Sequence, residues 1–262
     1  MRVPAFHSTT HHLPDRSLAM SYSDLVLAQS PLFYYTLDES SGNFSDSGSV
    51  GVTATANGTG LLYDQADPFG GSAAIGLSAT NYIEVPTATA CDSLGAITVE
   101  VLAKWSAVQS GTVITGRWSG LGATLHWNLY TSVVYGGRAA FNCYLNSAQK
   151  VVNDQRTPHI DDGKWHHLVG VYDGSYVRLY VDSIDVGNAV AATGNLPASA
   201  LPIRLGRLSD FNAWNFIGGI SHVAIYGTAL SSSVIADHAV EALGRPNTKL
   251  YSYSMLHNRY QL

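Results

Sequence analysis

Along most of the chain, apolar residues recur at every second position in short runs separated by turn residues. The stretch from Asp161 to Gly187 contains two such runs, joined by Asp173-Gly174. Alternation with period two places successive side chains on opposite faces of a strand. Asp-Gly between two strands is a strong hairpin signal, because glycine adopts the positive φ that tight turns require. The pattern therefore predicts a β-hairpin at this position.

Similar runs recur about every 8–15 residues, with Gly, Asn, Asp and Ser between them. They predict strands at 32–37, 72–76, 81–86, 96–105, 111–117, 123–130, 138–144, 165–172, 176–182, 202–206 and 216–226. Two segments have helical spacing instead: 22–29, which Pro31 ends, and 231–242, which Ser231 and Gly244 can cap. Many short strands with few helices favour a β-sandwich over an alternating α/β fold.

The periodic region has a polar segment on each side. Residues 1–20 form a predicted N-terminal arm that shows no periodicity. Residues 21–243 form the predicted sandwich, and residues 244–262 form a C-terminal tail. One domain is expected, because a single all-β domain commonly reaches about 200–250 residues.

Three motifs in and beside the hairpin resemble the laminin G-like and pentraxin-like branch of the concanavalin A-like jelly rolls. They are Trp-His-His at 165–167, Val-Tyr-Asp-Gly at 171–174 and Leu-Tyr-Val-Asp at 179–182. The opening segment 31–46 and the closing segments 203–206 and 216–231 agree as well. The resemblance implies an all-β, concanavalin A-like (laminin G-like) antiparallel β-sandwich jelly roll with one or two short helices, to which this chain adds extended terminal arms.

The chain departs from the family pattern at two places. Ser183 stands where the family has Gly, and Ser221-His222 stands where it has an acidic pair. A calcium or salt-bridge role for that acidic pair is therefore not expected here. The fold itself hosts lectins, glycosidases, adhesion modules and virion proteins, so the resemblance implies a fold and leaves the function open.

Composition narrows the set of partners. The net charge is −5 and no run of Lys or Arg occurs, which argues against nucleic acid, because phosphate binding needs clustered positive charge. No apolar stretch approaches the roughly 18 residues of a membrane span. Residues 1–24 lack the apolar core of a secretory signal, so we expect no signal peptide. Cys91 and Cys143 are predicted to be free, half-buried thiols.

The sequence shows no catalytic motif. A glycosidase on this fold needs two carboxylates that face one cleft. Asp38-Glu39 and Asp161-Asp162 are adjacent pairs at expected turns, where they would point in different directions. His166 and His167 are neighbours on a strand and point to opposite faces, so they are predicted as a surface and a core histidine. We therefore expect a protein that is not an enzyme.

Two kinds of binding site have candidate residues. Calcium prefers oxygen ligands from loops, and the candidates are Asp46, Asp64 and Asp67; alternatively, these aspartates bond their own turns. Aromatic rings can stack on sugars, and the candidates for glycan binding are Trp118, Trp214, Phe211 and Tyr135. Alternatively, these rings pack in the core or against a subunit.

Two functions follow as hypotheses. The first is a bacteriophage virion structural protein, a capsid decoration or tail-associated protein that is made in the host cytoplasm without a signal peptide. Its arms would contact neighbouring capsid or tail subunits, which include further copies of the chain. Ordering polar segments costs about 1–2 kcal/mol per residue, and contacts with neighbouring subunits would offset that cost. The predicted assembly contacts are Phe6, His11, His12, Tyr251, Tyr253, Leu256 and Tyr260. The alternative is a carbohydrate-binding or adhesion module with a loop-built site for a cell-surface glycan, with calcium as a possible cofactor.

Overall fold

A computed structural model describes residues 20–86, 88–109, 111–119, 125–132, 136–156 and 159–244. These residues form an antiparallel β-sandwich with two short α-helices, which confirms the predicted fold class. The helices are α1 (Tyr22–Ala28) and α2 (Ser232–Leu243). The strands are β1 (Phe33–Tyr35), β2 (Thr55–Gly58), β3 (Leu62–Gln65), β4 (Ala74–Leu77), β5 (Asn81–Val85), β6 (Ile97–Lys104), β7 (Val113–Trp118), β8 (Leu125–Thr131), β9 (Ala139–Leu145), β10 (Ala148–Asn153), β11 (His166–Tyr172), β12 (Tyr176–Val181), β13 (Ile184–Asp185), β14 (Val190–Ala191), β15 (Ile203–Leu205) and β16 (Gly218–Tyr226).

The strands form two sheets. The nine-stranded sheet has the order β13-β12-β11-β6-β16-β4-β3, with β1 also paired to β16 and β14 to β12. The seven-stranded sheet has the order β10-β9-β8-β7-β15-β5-β2. Strands that are far apart in the chain, such as β6 and β16, therefore lie side by side, as they do in a jelly roll.

The main core fills the space between the two sheets, where Phe33, Val99, Phe141 and Leu179 are fully buried. Gly170 of β11 faces Phe141 of the opposite sheet. A Cβ added at Gly170 would lie 2.2 Å from the Phe141 ring. The glycine therefore allows the two sheets to approach closely at this point.

Cys91 and Cys143 are free and lie in this core. Burial raises the pKa of the Cys91 thiol to about 12, and burial raises the pKa of Cys143 as well. The prediction of free thiols is confirmed. The predicted half-burial is wrong, because both side chains point between the sheets and are 0% exposed.

Both helices cover the outer side of the nine-stranded sheet and bury a second apolar layer there. α1 begins with a capping box, in which Ser21 Oγ accepts the Asp24 N–H and the Asp24 carboxylate accepts the Ser21 N–H. Ser231 caps α2, which ends at Gly244 with a φ of 60°. Both predicted helices are confirmed within one residue at each end. Neither helix in the described part of the chain is long and apolar enough to cross a membrane.

The predicted hairpin is formed by β11 and β12. Asp173 Oδ1 accepts the backbone N–H groups of the next turn residues, and Gly174 has a φ of 88°. His166 and His167 contact different partners on opposite faces, as predicted. The predicted surface position of His166 is wrong: the side chain is buried between Asp182, at 2.9 Å, and Asp162, at 3.1 Å, whose carboxylates compensate its burial.

Candidate functional site

A row of residues crosses all strands of the seven-stranded sheet on its outer face. Its members pair directly across neighbouring strands, so their side chains project on the same side. In order, they are Val151, Asn142, Asn128, Gly116, Arg204, Glu84 and Thr55. Their chain neighbours, such as Phe141, Leu129 and Ile83, point into the core instead. We call this set the cross-strand row.

Two amides lie side by side within the cross-strand row. Asn128 and Asn142 are only 1% and 3% exposed. The Nδ2 of Asn142 lies 3.5 Å from Gln149 Oε1, but neither Asn Oδ1 has a hydrogen-bond partner among the described residues. Because an unpaired buried polar group costs about 1–3 kcal/mol, this pair of acceptors favours a ligand that brings hydroxyl or N–H donors.

Beyond the two amides, the row continues with a glycine and then with charged side chains. Gly116 contributes no side chain next to Asn128, and a Cβ there would lie 2.8 Å from the Asn128 Cβ. On the far side of this gap, Arg204 Nε donates to Glu84 Oε2 at 2.7 Å. The Arg204 guanidinium also lies 4.6 Å from the centroid of the Tyr82 ring. The row thus contains two buried amides, then Gly116 without a side chain, and then an ion pair beside an aromatic ring.

Apolar and aromatic side chains border the cross-strand row on the same face. Val113, Trp118 and Leu208 form a cluster, and Tyr130 and Tyr144 pack against it. Both tyrosines are half-buried, and burial raises the pKa of Tyr130 to about 12, so its phenol is neutral. Flat rings beside a few placed polar groups are typical of small-molecule sites, since the rings provide contact area and the polar groups provide specificity.

Three of the four aromatic residues predicted to bind glycan lie in one region. The backbone N–H of Trp118 donates to Ser209 Oγ at 2.9 Å, and the backbone carbonyl of Trp214 accepts the Val113 N–H at 2.8 Å. The segment 207–215 therefore packs at β7, and Phe211 and Trp214 on this segment are 51% and 42% exposed. Trp118 is buried in the apolar cluster. Tyr135 lies outside the described residues.

Two of the predicted calcium ligands already accept backbone hydrogen bonds, Asp67 from its own loop and Asp46 from its loop and from Tyr34 of β1. Asp46 accepts three backbone N–H groups at 2.8–3.1 Å, and Asp67 accepts three at 2.7–3.2 Å. Asp64 is exposed on β3. The part of the chain that the structure describes holds no group of three or more His, Cys, Asp or Glu side chains that could bind a metal ion. The bonding of Asp46 and Asp67 corresponds to the alternative role of turn aspartates.

The predicted assembly contacts all lie outside the described residues. They are Phe6, His11, His12, Tyr251, Tyr253, Leu256 and Tyr260. The arms therefore remain a prediction from sequence.

The family comparison covers most of the sandwich, from the end of β4 into α2. Residues 77–236 match the model of the concanavalin A-like lectin/glucanases superfamily. The chain belongs to this superfamily. No curated protein sequence matches this concanavalin A-like chain.

Solved structures agree on the concanavalin A-like fold. Domain 4 of AbnA, a GH43 extracellular arabinanase from Geobacillus stearothermophilus solved with arabinotriose, is similar at a TM-score of 0.62 and 18% identity, over 80% of this chain and 98% of that chain. The binding domain of Paraclostridial Mosquitocidal Protein 1 has a TM-score of 0.62 and 14% identity, over 80% and 52%. Botulinum neurotoxin type C, whose cell entry depends on interaction with two ganglioside molecules, has a TM-score of 0.60 and 10% identity, over 79% and 50%. The chain spans about half the length of the two toxin chains that it matches.

A buried carboxylate in this concanavalin A-like chain was not singled out from the sequence. Glu100 of β6 is 0% exposed. Its Oε1 accepts from Tyr22 Oη at 2.8 Å, His167 Nε2 at 2.7 Å and His238 Nδ1 at 2.9 Å, and its Oε2 accepts from Tyr226 Oη at 2.8 Å. We call these five residues the Glu100 cluster.

The charges of the Glu100 cluster stabilise each other. Burial by itself would raise the pKa of the Glu100 carboxyl, but the hydrogen bonds from His167 and His238 hold it well below its usual range. Burial likewise opposes protonation of His238, and the Glu100 carboxylate outweighs it and raises the His238 pKa. Because Tyr22 belongs to α1 and His238 to α2, the cluster attaches both helices to the sheet.

Proposed function

We propose that this chain is a non-enzymatic carbohydrate-binding domain, whose site is the cross-strand row with its bordering aromatic side chains. One observation carries the proposal: the two adjacent amide oxygens of Asn128 and Asn142 are buried and have no hydrogen-bond partner among the described residues, beside the rings of Tyr130 and Tyr144. A sugar supplies what such a surface lacks, since its hydroxyls donate to the amides and its C–H faces pack on the rings.

The charge on this face indicates the class of glycan. Arg204 and Glu84 neutralise each other at 2.7 Å, and the rest of the cross-strand row is uncharged. The uncharged part of the row, from Val151 to Gly116, is therefore the part where we expect a neutral oligosaccharide to bind, whereas a further cation, the Arg207 guanidinium, lies 4.2 Å from the Tyr82 ring beside Arg204. The arabinanase domain that was solved with arabinotriose, a neutral sugar, supports this function, and the ganglioside interaction of the type C neurotoxin supports glycan binding only in general.

A glycan array followed by calorimetry on the best oligosaccharide tests the proposal. Tyr144→Ala and Trp214→Ala remove rings from the face and its border, and each is expected to weaken binding by roughly three- to tenfold. Tyr176→Ala is the matched control, because Tyr176 lies on the nine-stranded sheet and is exposed to the same 42% as Trp214. The control is expected to bind like the parent chain.

Two results would contradict the proposal. One is that no neutral glycan binds at millimolar concentration. The other is that Tyr144→Ala binds as tightly as Tyr176→Ala, which would place any glycan elsewhere on the molecule.

We propose assembly into a virion as a second function, and the sequence outside the matched region motivates it. The C-terminal tail carries Tyr251, Tyr253 and Tyr260, and the family model stops at residue 236. Large aromatic side chains are enriched at subunit contacts. Deleting residues 1–20 or 246–262 should leave the sandwich folded by circular dichroism but prevent its incorporation into particles. Normal incorporation of both truncated chains would exclude this role.

A further inference from the structure

A cavity of about 320 Å³ opens on the opposite side of the molecule, beside α1 and the Glu100 cluster. Tyr22, Phe69 and His222 line it with aromatic rings, and Asp67 and Glu241 line it with carboxylates. None of these residues belongs to the cross-strand row. A ligand here would therefore bind independently of the proposed glycan site.

The three rings contact one another and form a corner. The ring centroids of Tyr22 and His222 are 5.1 Å apart at 85°, and those of Phe69 and His222 are 5.2 Å apart at 82°. Tyr22 and Phe69 are 5.6 Å apart at 40°. Tyr22 and His222 are only 3% and 7% exposed and form the wall of the corner, whereas Phe69 is 43% exposed and provides the ring face that is open to a ligand.

Hydrogen bonds hold the rings in place. The Tyr22 hydroxyl donates to Glu100 at 2.8 Å, and His222 Nδ1 lies 2.7 Å from Tyr34 Oη. His222 has a φ of 48°, where the pairing of β16 shifts register. The Phe69 N–H donates to Asp67 Oδ1 at 2.8 Å. Because these bonds exist without a ligand, binding would require little further ordering.

The charge that lines the cavity is negative. Asp67 and Glu241 are carboxylates, and the described lining residues include no Lys or Arg. Burial lowers the pKa of His222 to about 4, against the opposing influence of Asp38, Asp67 and Glu100, so its ring is neutral at physiological pH. The Ser21 N–H at the start of α1 already donates to Asp24 and adds no free donor for an anion.

We propose that this cavity binds an organic cation with apolar substituents, namely an alkylated ammonium group. The aromatic rings attract such a cation through their negative faces, and its methyl groups pack on the same rings. Glu241 and Asp67 provide the opposite charge, which a neutral or anionic ligand cannot use. The group can be a free small molecule or the end of a methylated lysine side chain.

Titration with choline tests the proposal against a close control, 3,3-dimethyl-1-butanol, which has the same shape without the charge. Chemical shifts of the folded chain report binding. Choline is expected to bind at least about tenfold more tightly than the uncharged isostere. Phe69→Ala and Glu241→Gln are each expected to weaken choline binding by roughly three- to tenfold, whereas Leu27→Ala, an exposed site on α1, should leave it unchanged.

Other outcomes would overturn the proposal. Equal binding of choline and its isostere would remove the role of charge, and tighter binding of acetate would reverse its sign. Unchanged choline affinity in Phe69→Ala would remove the rings from the site. Tighter binding of a trimethyl-lysine peptide than of choline would support the proposal and would indicate that the natural ligand is a methylated lysine side chain of another protein. Glycan affinity measured in parallel separates this site from the proposed glycan site, since Phe69→Ala should not alter it.

Discussion

At Glu100, one buried carboxylate accepts hydrogen bonds from two strands and two helices. Glu100→Gln removes the charge but keeps the size, so His238 loses the carboxylate that raises its pKa. We predict that the substitution lowers the free energy of unfolding by about 3 kcal/mol, measured by urea denaturation. Asp185→Asn is the control: Asp185 pairs with Arg178 at 3.2 Å at the surface, and the loss there should be about 1 kcal/mol or less. Equal losses would contradict the role given to Glu100.

Asp46 offers a second test at the scale of one residue. Its carboxylate accepts the backbone N–H groups of Gly48 and Val52 in its own loop and of Tyr34 in β1, and Asp46→Ala would leave them without that partner. We predict a loss of about 2 kcal/mol in unfolding free energy, equal in calcium and in chelator. If calcium stabilises the parent chain and not the variant, Asp46 is a calcium ligand after all.

The residues of the two sites differ in how far the sequence predicts their burial and contacts. Glu100 interrupts an apolar strand, Ile97–Lys104, and His238 recurs at helical spacing, so each gave a weak local signal. Asn128 and Asn142 gave none, because their burial depends on pairing between β8 and β9. Trp118 was predicted as a candidate for glycan binding, and only the fold shows that its ring is buried in the apolar cluster.

At the scale of elements, the attachment of both helices depends on pH. The raised His238 pKa means that its contribution to stability is complete below the unfolded value of about 6.5 and is lost as pH rises through the folded value. The lowered Glu100 pKa means that its contribution is present above the unfolded value of about 4.3 and is lost as pH falls. Attachment is therefore strongest between about pH 4.5 and 6.5.

We predict that His238→Gln reduces the loss of stability between pH 6 and pH 9. Burial by itself would lower the His166 pKa, but the carboxylates of Asp182 and Asp162 outweigh it and raise this pKa. His166 therefore titrates in both the parent chain and the variant. The difference between parent and variant in urea denaturation therefore isolates His238. A parallel pH dependence in the two chains would contradict the assignment.

The elements that sequence reasoning found and missed differ in composition. β11 and β12 were predicted because apolar alternation and Asp173-Gly174 agree there. β2 (Thr55–Gly58) and β10 (Ala148–Asn153) were missed, since these strands lie at the two edges of the seven-stranded sheet and lack an alternating apolar pattern. An edge strand has one neighbour and little buried area, so its residues need not be apolar.

At the scale of the whole molecule, the sandwich separates its two candidate sites. The cross-strand row lies on the seven-stranded sheet, and the cavity of Tyr22, Phe69 and His222 lies beside the nine-stranded sheet, with the main core between them. Because the two sites share no residue and lie on different sheets, we predict independent binding. Saturating choline should leave the affinity for the best glycan unchanged within about twofold, measured by calorimetry, and any larger coupling would contradict this.

The length of the cross-strand row is set by the number of strands that it crosses. Neighbouring strands lie about 4.8 Å apart, so the path from Val151 to Thr55 across seven strands extends about 29 Å. A linear oligosaccharide that follows it gains contacts with each added unit until its ends pass the edge strands. The affinity of this face should therefore rise with chain length and then become constant, and the point where it becomes constant would measure the sheet from edge to edge.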